Sequence, residues 1–360
     1  MAAQPCLKNC VPALMNWYAD HARPLPWRED NSGYRVWISE IMLQQTRIET
    51  VIPYYHAFLE KMPTLRALAE APTELLMKCW EGLGYYSRAR NLQKAAKQVI
   101  ESGREQLPTT YAELIKLPGI GEYTAGAIAS IAFHERVPAV DGNVMRVLAR
   151  LSASYTDLLS TAAKKEFFAL ASELVPEKDP GQFNQAVMEL GETICLPNTS
   201  PHCELCPLQK MCRAHELGIA DDLPVRSGPK ARKVEQKTVC VLMTTEAEPR
   251  ILLHKRPETG LLAGLFEFPN FSGSLDDREV SKALNQLGLS IQNLQPLPGA
   301  KHVFSHIEWL MGGYFGIVSG ETLPGGYLWV TREQMKKQYA LPSAFRAFLP
   351  FLDHISQEEG

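Results

Sequence analysis

The chain changes its hydrophobic rhythm once, and that switch limits the folds open to it. From Pro12 to about Ala214, apolar residues recur at intervals of three and four, with Pro or Gly in the gaps. That spacing gathers side chains on one face of a helix. It predicts helices over 37–62, 65–69, 73–80, 89–102, 111–116, 123–133, 144–151, 162–175 and 182–191. The run AHELGIADDLPVRSGPKARKVEQ follows, rich in Gly, Pro and charge, which is the texture of a connector. Beyond it come short stretches of β-branched and aromatic residues, predicting strands over 238–245, 251–255, 265–268, 309–318 and 327–330, with helices near 280–287 and 344–352. With 360 residues, 45% of them hydrophobic, the chain can bury two cores. The expected architecture is multidomain: an all-α domain over 1–215, a linker over 216–236 and an α+β domain over 237–360.

Composition narrows the function classes. A formal net charge of -3 does not announce a polyanion partner, so any nucleic-acid binding has to be argued from local features. The first residues hold no basic stretch leading into an apolar run, and the longest small or apolar segment, near 125–133, is too short to cross a bilayer. A protein without a signal peptide or membrane span, located in the cytoplasm, is the expectation. Of eight cysteines, Cys195, Cys203, Cys206 and Cys212 fall within eighteen positions, a spacing suited to one metal centre in a reducing compartment.

Three motifs carry chemistry. LPGIGEYTAGAIASIAF reads as two helices joined by a tight turn containing Gly119 and Gly121. Glycines there let backbone amides at a helix start approach a phosphate, although an ordinary helix connection has the same look. In VDGNVMRVLAR, Asp141 stands at the mouth of the next helix, where amides and the helix dipole favour its ionised form. A plain helix cap is the alternative. Glu40, in VWISEIMLQQT, has apolar neighbours nearly all round, so it goes into the interior with its helix and its pKa rises. The alternative is a structural Glu paired with Arg35 or Arg47. One carboxyl able to donate a proton and one held negative form the pair that glycosidic cleavage needs.

Taken together, the hairpin, the Asp141 segment, SEIMLQQT and EGLGYYSRARN resemble the helix-hairpin-helix DNA glycosylases, and within them the adenine DNA glycosylases of the MutY type. The resemblance covers essentially 17–352. It implies that Glu40 protonates a flipped adenine at N7 while Asp141, supported by Asn143, steadies the cationic sugar. By the same resemblance Trp27, Arg28 and Gln185 surround the adenine, Gln45 and Tyr85 insert into the base stack, and Thr46 and Leu83 lie near the lesion. Core packing is the alternative for each of the wedge and lesion residues, and it stays open above all for Leu83 and Tyr86. Related enzymes that also cut the backbone, such as endonuclease III, carry a Lys where this chain has Tyr123, so lyase activity is expected to be absent or slight.

Gaps of seven, two and five residues separate the clustered cysteines, which resembles the family's 4Fe-4S loop with one extra residue in LPNTSPH; zinc and free thiols are the alternatives. Arg88, Arg90, Lys94, Lys97, Lys210 and Arg213 read as a solvated face. The last third resembles a MutT-like domain. In a Nudix frame starting at Gly264, Arg278 and Glu279 fall in register, but Asn270, Lys282 and Ala283 replace metal-binding carboxylates, so recognition is expected there, not hydrolysis. VFSHIEW supplies Phe304, Ser305 and His306, matching the family's loop that inspects 8-oxoguanine; a strand and turn is the bland reading. The implied partner is double-stranded DNA with an 8-oxoguanine:adenine or guanine:adenine mispair, bound by a monomeric, bacterial-type protein at the nucleoid. The rivals are an endonuclease III-like glycosylase and lyase, and a cluster-bearing DNA-binding protein without catalysis.

Overall fold

The computed structural model describes residues 7–228, 231–246, 248–319 and 323–357. The helices are α1 (Cys10–His21), α2 (Pro26–Glu29), α3 (Gly33–Leu43), α4 (Ile48–Lys61), α5 (Leu65–Glu70), α6 (Thr73–Cys79), α7 (Ser87–Glu101), α8 (Tyr111–Leu114), α9 (Glu122–Phe133), α10 (Gly142–Ser152), α11 (Thr161–Leu174), α12 (Pro180–Thr193), α13 (Arg213–Glu216), α14 (Asp277–Gln286) and α15 (Arg332–Gln338). The strands are β1 (Lys233–Met243), β2 (Arg250–Lys255), β3 (Phe266–Glu267), β4 (Asn270–Ser272), β5 (Ser290–Val303), β6 (Ile307–Ser319) and β7 (Tyr327–Thr331). A helical part followed by an α+β part is therefore what the chain forms. Two compact units result: Met1–Glu70 with Arg90–Gly228, and Ala71–Ala89 with Pro229–Gly360. The expected linker 216–236 is divided, since its first part clusters with the helical unit and its last residues, from Lys233, already belong to β1.

In the helical unit, α1, α10, α11 and α12 surround one core built on Leu14, Leu148, Phe167, Phe183 and Leu190. Burying each such side chain contributes about 1.5–3 kcal/mol. In the same unit α3 packs on α9, and α9 packs on α12. Asn184 of α12 fixes the approach to α10: its Oδ1 accepts from the Ala139 amide at 3.0 Å, and its Nδ2 donates to Ser130 Oγ at 2.8 Å and the Val137 carbonyl at 2.9 Å. These three bonds aim the segment that ends in Asp141.

The long helix expected over 37–62 is broken. Gln44–Arg47 forms a turn between α3 and α4, with Gln45 at φ +60, in the left-handed region. No Gly, Asn or Asp marks it, so the apolar rhythm concealed it.

The second unit holds a mixed sheet in the order β3-β2-β1-β6-β5, in which β1 and β6 run parallel and the other pairs antiparallel; β4 pairs with β1 and β7 with β2. Along β1, Val239, Val241 and Met243 join a core with Phe268, Phe345 and Phe348, whereas Cys240 and Leu242 pack against Val280 and Leu284 of α14. The period of two sends alternate side chains to opposite faces, so the sheet is covered on both. Glu279, in register with the Nudix frame, completes a capping box with Asp276 at the start of α14.

Candidate active site

A cleft of about 1120 Å³ in the helical unit brings together residues far apart in sequence, among them Trp27, Arg28, Glu40, Gln45, Tyr123, Asp141 and Gln185. Glu40 comes from the middle of α3, a helix with seven consecutive buried residues, Val36–Met42. The Tyr123 hydroxyl, in the first turn of α9, donates to Glu40 Oε2. Burial is the largest influence on Glu40 and raises its pKa from 4.5 to about 7; the Tyr123 hydrogen bond and Arg28 oppose the rise, and Asp141 adds to it. The carboxyl can therefore hold a proton near neutral pH. Arg35, one of the partners a structural Glu40 would need, pairs instead with Asp30 at 3.0 Å.

Asp141 caps α10. Its Oδ1 accepts from the Val144 amide at 2.7 Å and its Oδ2 from Asn143 Nδ2 at 3.1 Å. The amides expected to favour its ionised form are outweighed by burial, the largest influence, which raises its pKa; Glu192 adds to the rise, and Val144, Arg146 and Asn143 oppose it. Donors on both oxygens still match the ionised form better than the neutral one.

Trp27 is buried with its ring edge-on to Tyr55, centroids 5.5 Å apart. Arg28 donates from Nη2 to Glu189 Oε2 at 2.8 Å and lies 5.4 Å from the centre of the Tyr18 ring, while Tyr18 donates to Gln185 Oε1 at 3.3 Å. Glu189, only 1% exposed, also accepts from Arg23 Nε at 2.5 Å. Burial would raise the Glu189 carboxyl, but Arg23 and Arg28 hold it below its ordinary value. Sequence reasoning missed Arg23, Tyr18, Glu189 and Glu192. The last two were detectable, because Gln185, Met188, Glu189 and Glu192 follow the helical spacing of α12 and all line the cleft.

In the hairpin, Gly119 has φ +77, and a Cβ there would lie 2.6 Å from Asn91 Cβ. Gly121 is the N-cap of α9, and a Cβ at its position would have no heavy atom within 4 Å. Gln45 is exposed at the cleft, and Gln44 Nε2 ties its turn to Thr124 of α9 at 3.3 Å. Thr46 lines the same cleft.

Tyr85, Leu83 and the 304–306 loop all belong to the second unit. Tyr85, 51% exposed at φ +47, shares a 3.0 Å hydrogen bond between its hydroxyl and Ser305 Oγ. Leu83 is buried. Arg88, expected on a solvated face, is buried too: its Nη2 donates to the Leu83 and Gly84 carbonyls at 2.9 and 3.1 Å, and burial lowers its pKa to about 10. Phe304 packs edge-on to Trp309 at 4.9 Å, leaving Ser305 and His306 exposed at the tip between β5 and β6.

Cys195, Cys203, Cys206 and Cys212 line one small cavity with Val147, Leu151 and Leu190. Burial pushes the Cys206 thiol up to about 12. Among the described residues, no group of three or more His, Cys, Asp or Glu side chains is arranged to hold a metal ion. None of the described cysteines is in a disulfide. Among the described residues, no helix is long and apolar enough to cross a membrane.

Residues 38–177 match the model of the HhH-GPD superfamily base excision DNA repair proteins, and residues 238–350 match the NUDIX domain. The adenine DNA glycosylase of Rattus norvegicus is 37% identical, covering 95% of this chain and 77% of that protein; the one from Homo sapiens is 37% identical, covering 93% and 73%. A solved thermostable thymine-DNA glycosylase superposes with a TM-score of 0.53 at 28% identity, covering 58% of this chain and 96% of that one. Identity at this level across both parts of the chain makes it a member of the adenine DNA glycosylase family, base-excision repair enzymes that hydrolyse an N-glycosyl bond in DNA.

Proposed function

We propose that this glycosylase removes adenine mispaired with 8-oxoguanine or guanine, and that it does so without cutting the backbone. The reading is carried by the placement of Glu40, its tyrosine partner and Asp141 in one cleft. Protonated Glu40 gives its proton to adenine N7, the bond from C1′ to N9 breaks, and its electron pair leaves with the base. The positive charge left on the sugar faces the Asp141 carboxylate, whose form is held by Val144 and Asn143. Water then adds at C1′ and releases a proton. Tyr123 has no amine with which to capture the sugar as a Schiff base.

Trp27, Arg28 and Gln185 receive the flipped adenine, with Arg28 oriented by Glu189. Gln45 and Tyr85 open the stack as wedges. Both are exposed and both occupy left-handed backbone, which costs a residue other than glycine about 1 kcal/mol or more. Gly121 gives a phosphate room at the start of α9. Ser305 and His306 read the O8 and N7 edge of 8-oxoguanine.

The four cysteines suit a 4Fe-4S cluster: four thiols line one small cavity, a donor set that matches iron–sulfur ligation. When bound, the cluster supplies iron–thiolate bonds that fix the loop and a one-electron couple. The test is release of free adenine from 8-oxoguanine:adenine, guanine:adenine and thymine:adenine duplexes. Release from the first two, absent in Glu40→Gln and Asp141→Asn although duplex binding persists, is expected. Equal release from all three duplexes overturns the mispair reading.

A further inference from the structure

Arg150 lies on α10 and is 4% exposed. Its Nε donates to the carbonyls of Ala220 and Leu223 at 2.9 and 2.8 Å. Nη1 donates to the Leu196 carbonyl at 2.9 Å and to Cys195 Sγ at 3.2 Å. Its own carbonyl accepts from Cys212 Sγ at 3.4 Å. No carboxylate among the described residues pairs with it. One turn earlier, Arg146 is buried as well and donates from Nε to the Cys195 carbonyl at 2.8 Å.

A buried guanidinium among neutral acceptors is costly, and chains keep one where an anion balances it. The first and last cysteines of the loop are the groups at hand. On the reading that they hold an iron–sulfur cluster, the thiolate set is the balancing charge. We propose that Arg150 is a positioning residue for that cluster, both as its buried counter-cation and as the staple that closes its loop. One side chain grips the start of the loop at Cys195 and Leu196 and the trailing segment at Ala220 and Leu223, while its backbone receives Cys212. A cation and a hydrogen bond at a ligand sulfur stabilise the reduced, more negative cluster, so Arg150 raises the potential and slows loss of iron. A lysine keeps the charge but not the planar fork.

The experiment compares the full chain with Arg150→Gln and Arg150→Lys, all purified anaerobically. It reads iron per chain, the rate of iron loss to a chelator, the cluster potential by voltammetry and helix content by circular dichroism. Arg150→Gln is expected to lose iron about 10-fold faster and to show a more negative potential. Arg150→Lys is expected to recover the potential while still losing iron fast. A folded Arg150→Gln with the parent's potential and iron-loss rate overturns the proposal. Where the glutamine variant does not fold, a parental iron-loss rate in Arg150→Lys overturns it instead. A parent chain that holds zinc or no iron defeats the cluster reading itself, and iron content of the parent is what tells the two failures apart.

Discussion

Tyr123 donates its phenolic hydrogen to Glu40, joining the first turn of the hairpin's second helix to a carboxyl 83 residues earlier. The bond works against burial, which is what raises the acid to about 7. Only protonated Glu40 can serve as the acid and only ionised Asp141 can steady the cation, so single-turnover adenine release should fall tenfold per pH unit above about pH 7 and fall again in acid, where Asp141, its pKa raised by burial, takes up a proton. Removing the hydroxyl in Tyr123→Phe removes a lowering influence and should move the alkaline limb to higher pH. An unmoved limb would show that another group sets it.

Stability should move in step. The folded-state pKa of Glu40 lies above its unfolded value, so below pH 4.5 both states are protonated and burial of the neutral acid is uncharged. As pH rises from 4.5 through about 7, folding has to accommodate a carboxylate, a destabilisation of about 3 kcal/mol when complete. Glu40→Gln should therefore unfold at a higher temperature than the parent at pH 8, with the difference gone near pH 4.5. Melting curves at the two values decide it.

Placing an amine at position 123 should add a reaction. Tyr123→Lys is expected to trap the abasic sugar as a Schiff base that borohydride reduces to a stable protein–DNA adduct. Adenine release without any adduct would mean that this position does not face the sugar.

Recognition should be separable from chemistry. Ser305→Ala with His306→Ala should erase most of the preference for 8-oxoguanine over guanine opposite adenine, at about 1–3 kcal/mol for a buried polar match, while saturating single-turnover release falls far less. Tyr85→Phe, which frees Ser305 of its 3.0 Å partner, should act in the same direction and more weakly. The measured quantity is the ratio of the two affinities; an unchanged ratio assigns recognition to other residues.

Much of this was readable in advance because it depends on local rhythm. Buried Glu40 followed from the apolar residues around it, and the hairpin from its glycines. What escaped depended on distant neighbours. Asp141 titrates upward because residues from other helices bury it, which a cap position does not reveal. Arg88 goes inside because Leu83 and Gly84 offer carbonyls to it. The strand β5 was invisible because Pro296, Pro298 and polar residues interrupt any alternation.

That same strand ends the sheet. Its pairing with β6 slips between Ile291 and Asn293 and again between Leu297 and Ala300, and at Pro296 and Pro298 it has no amide hydrogen to give. Another polypeptide trying to lengthen the sheet from that side would find its ladder of bonds interrupted after a few rungs. A fourteen-residue border that would otherwise be adhesive is thereby blunted, and crowded copies of the chain are kept from polymerising edge to edge.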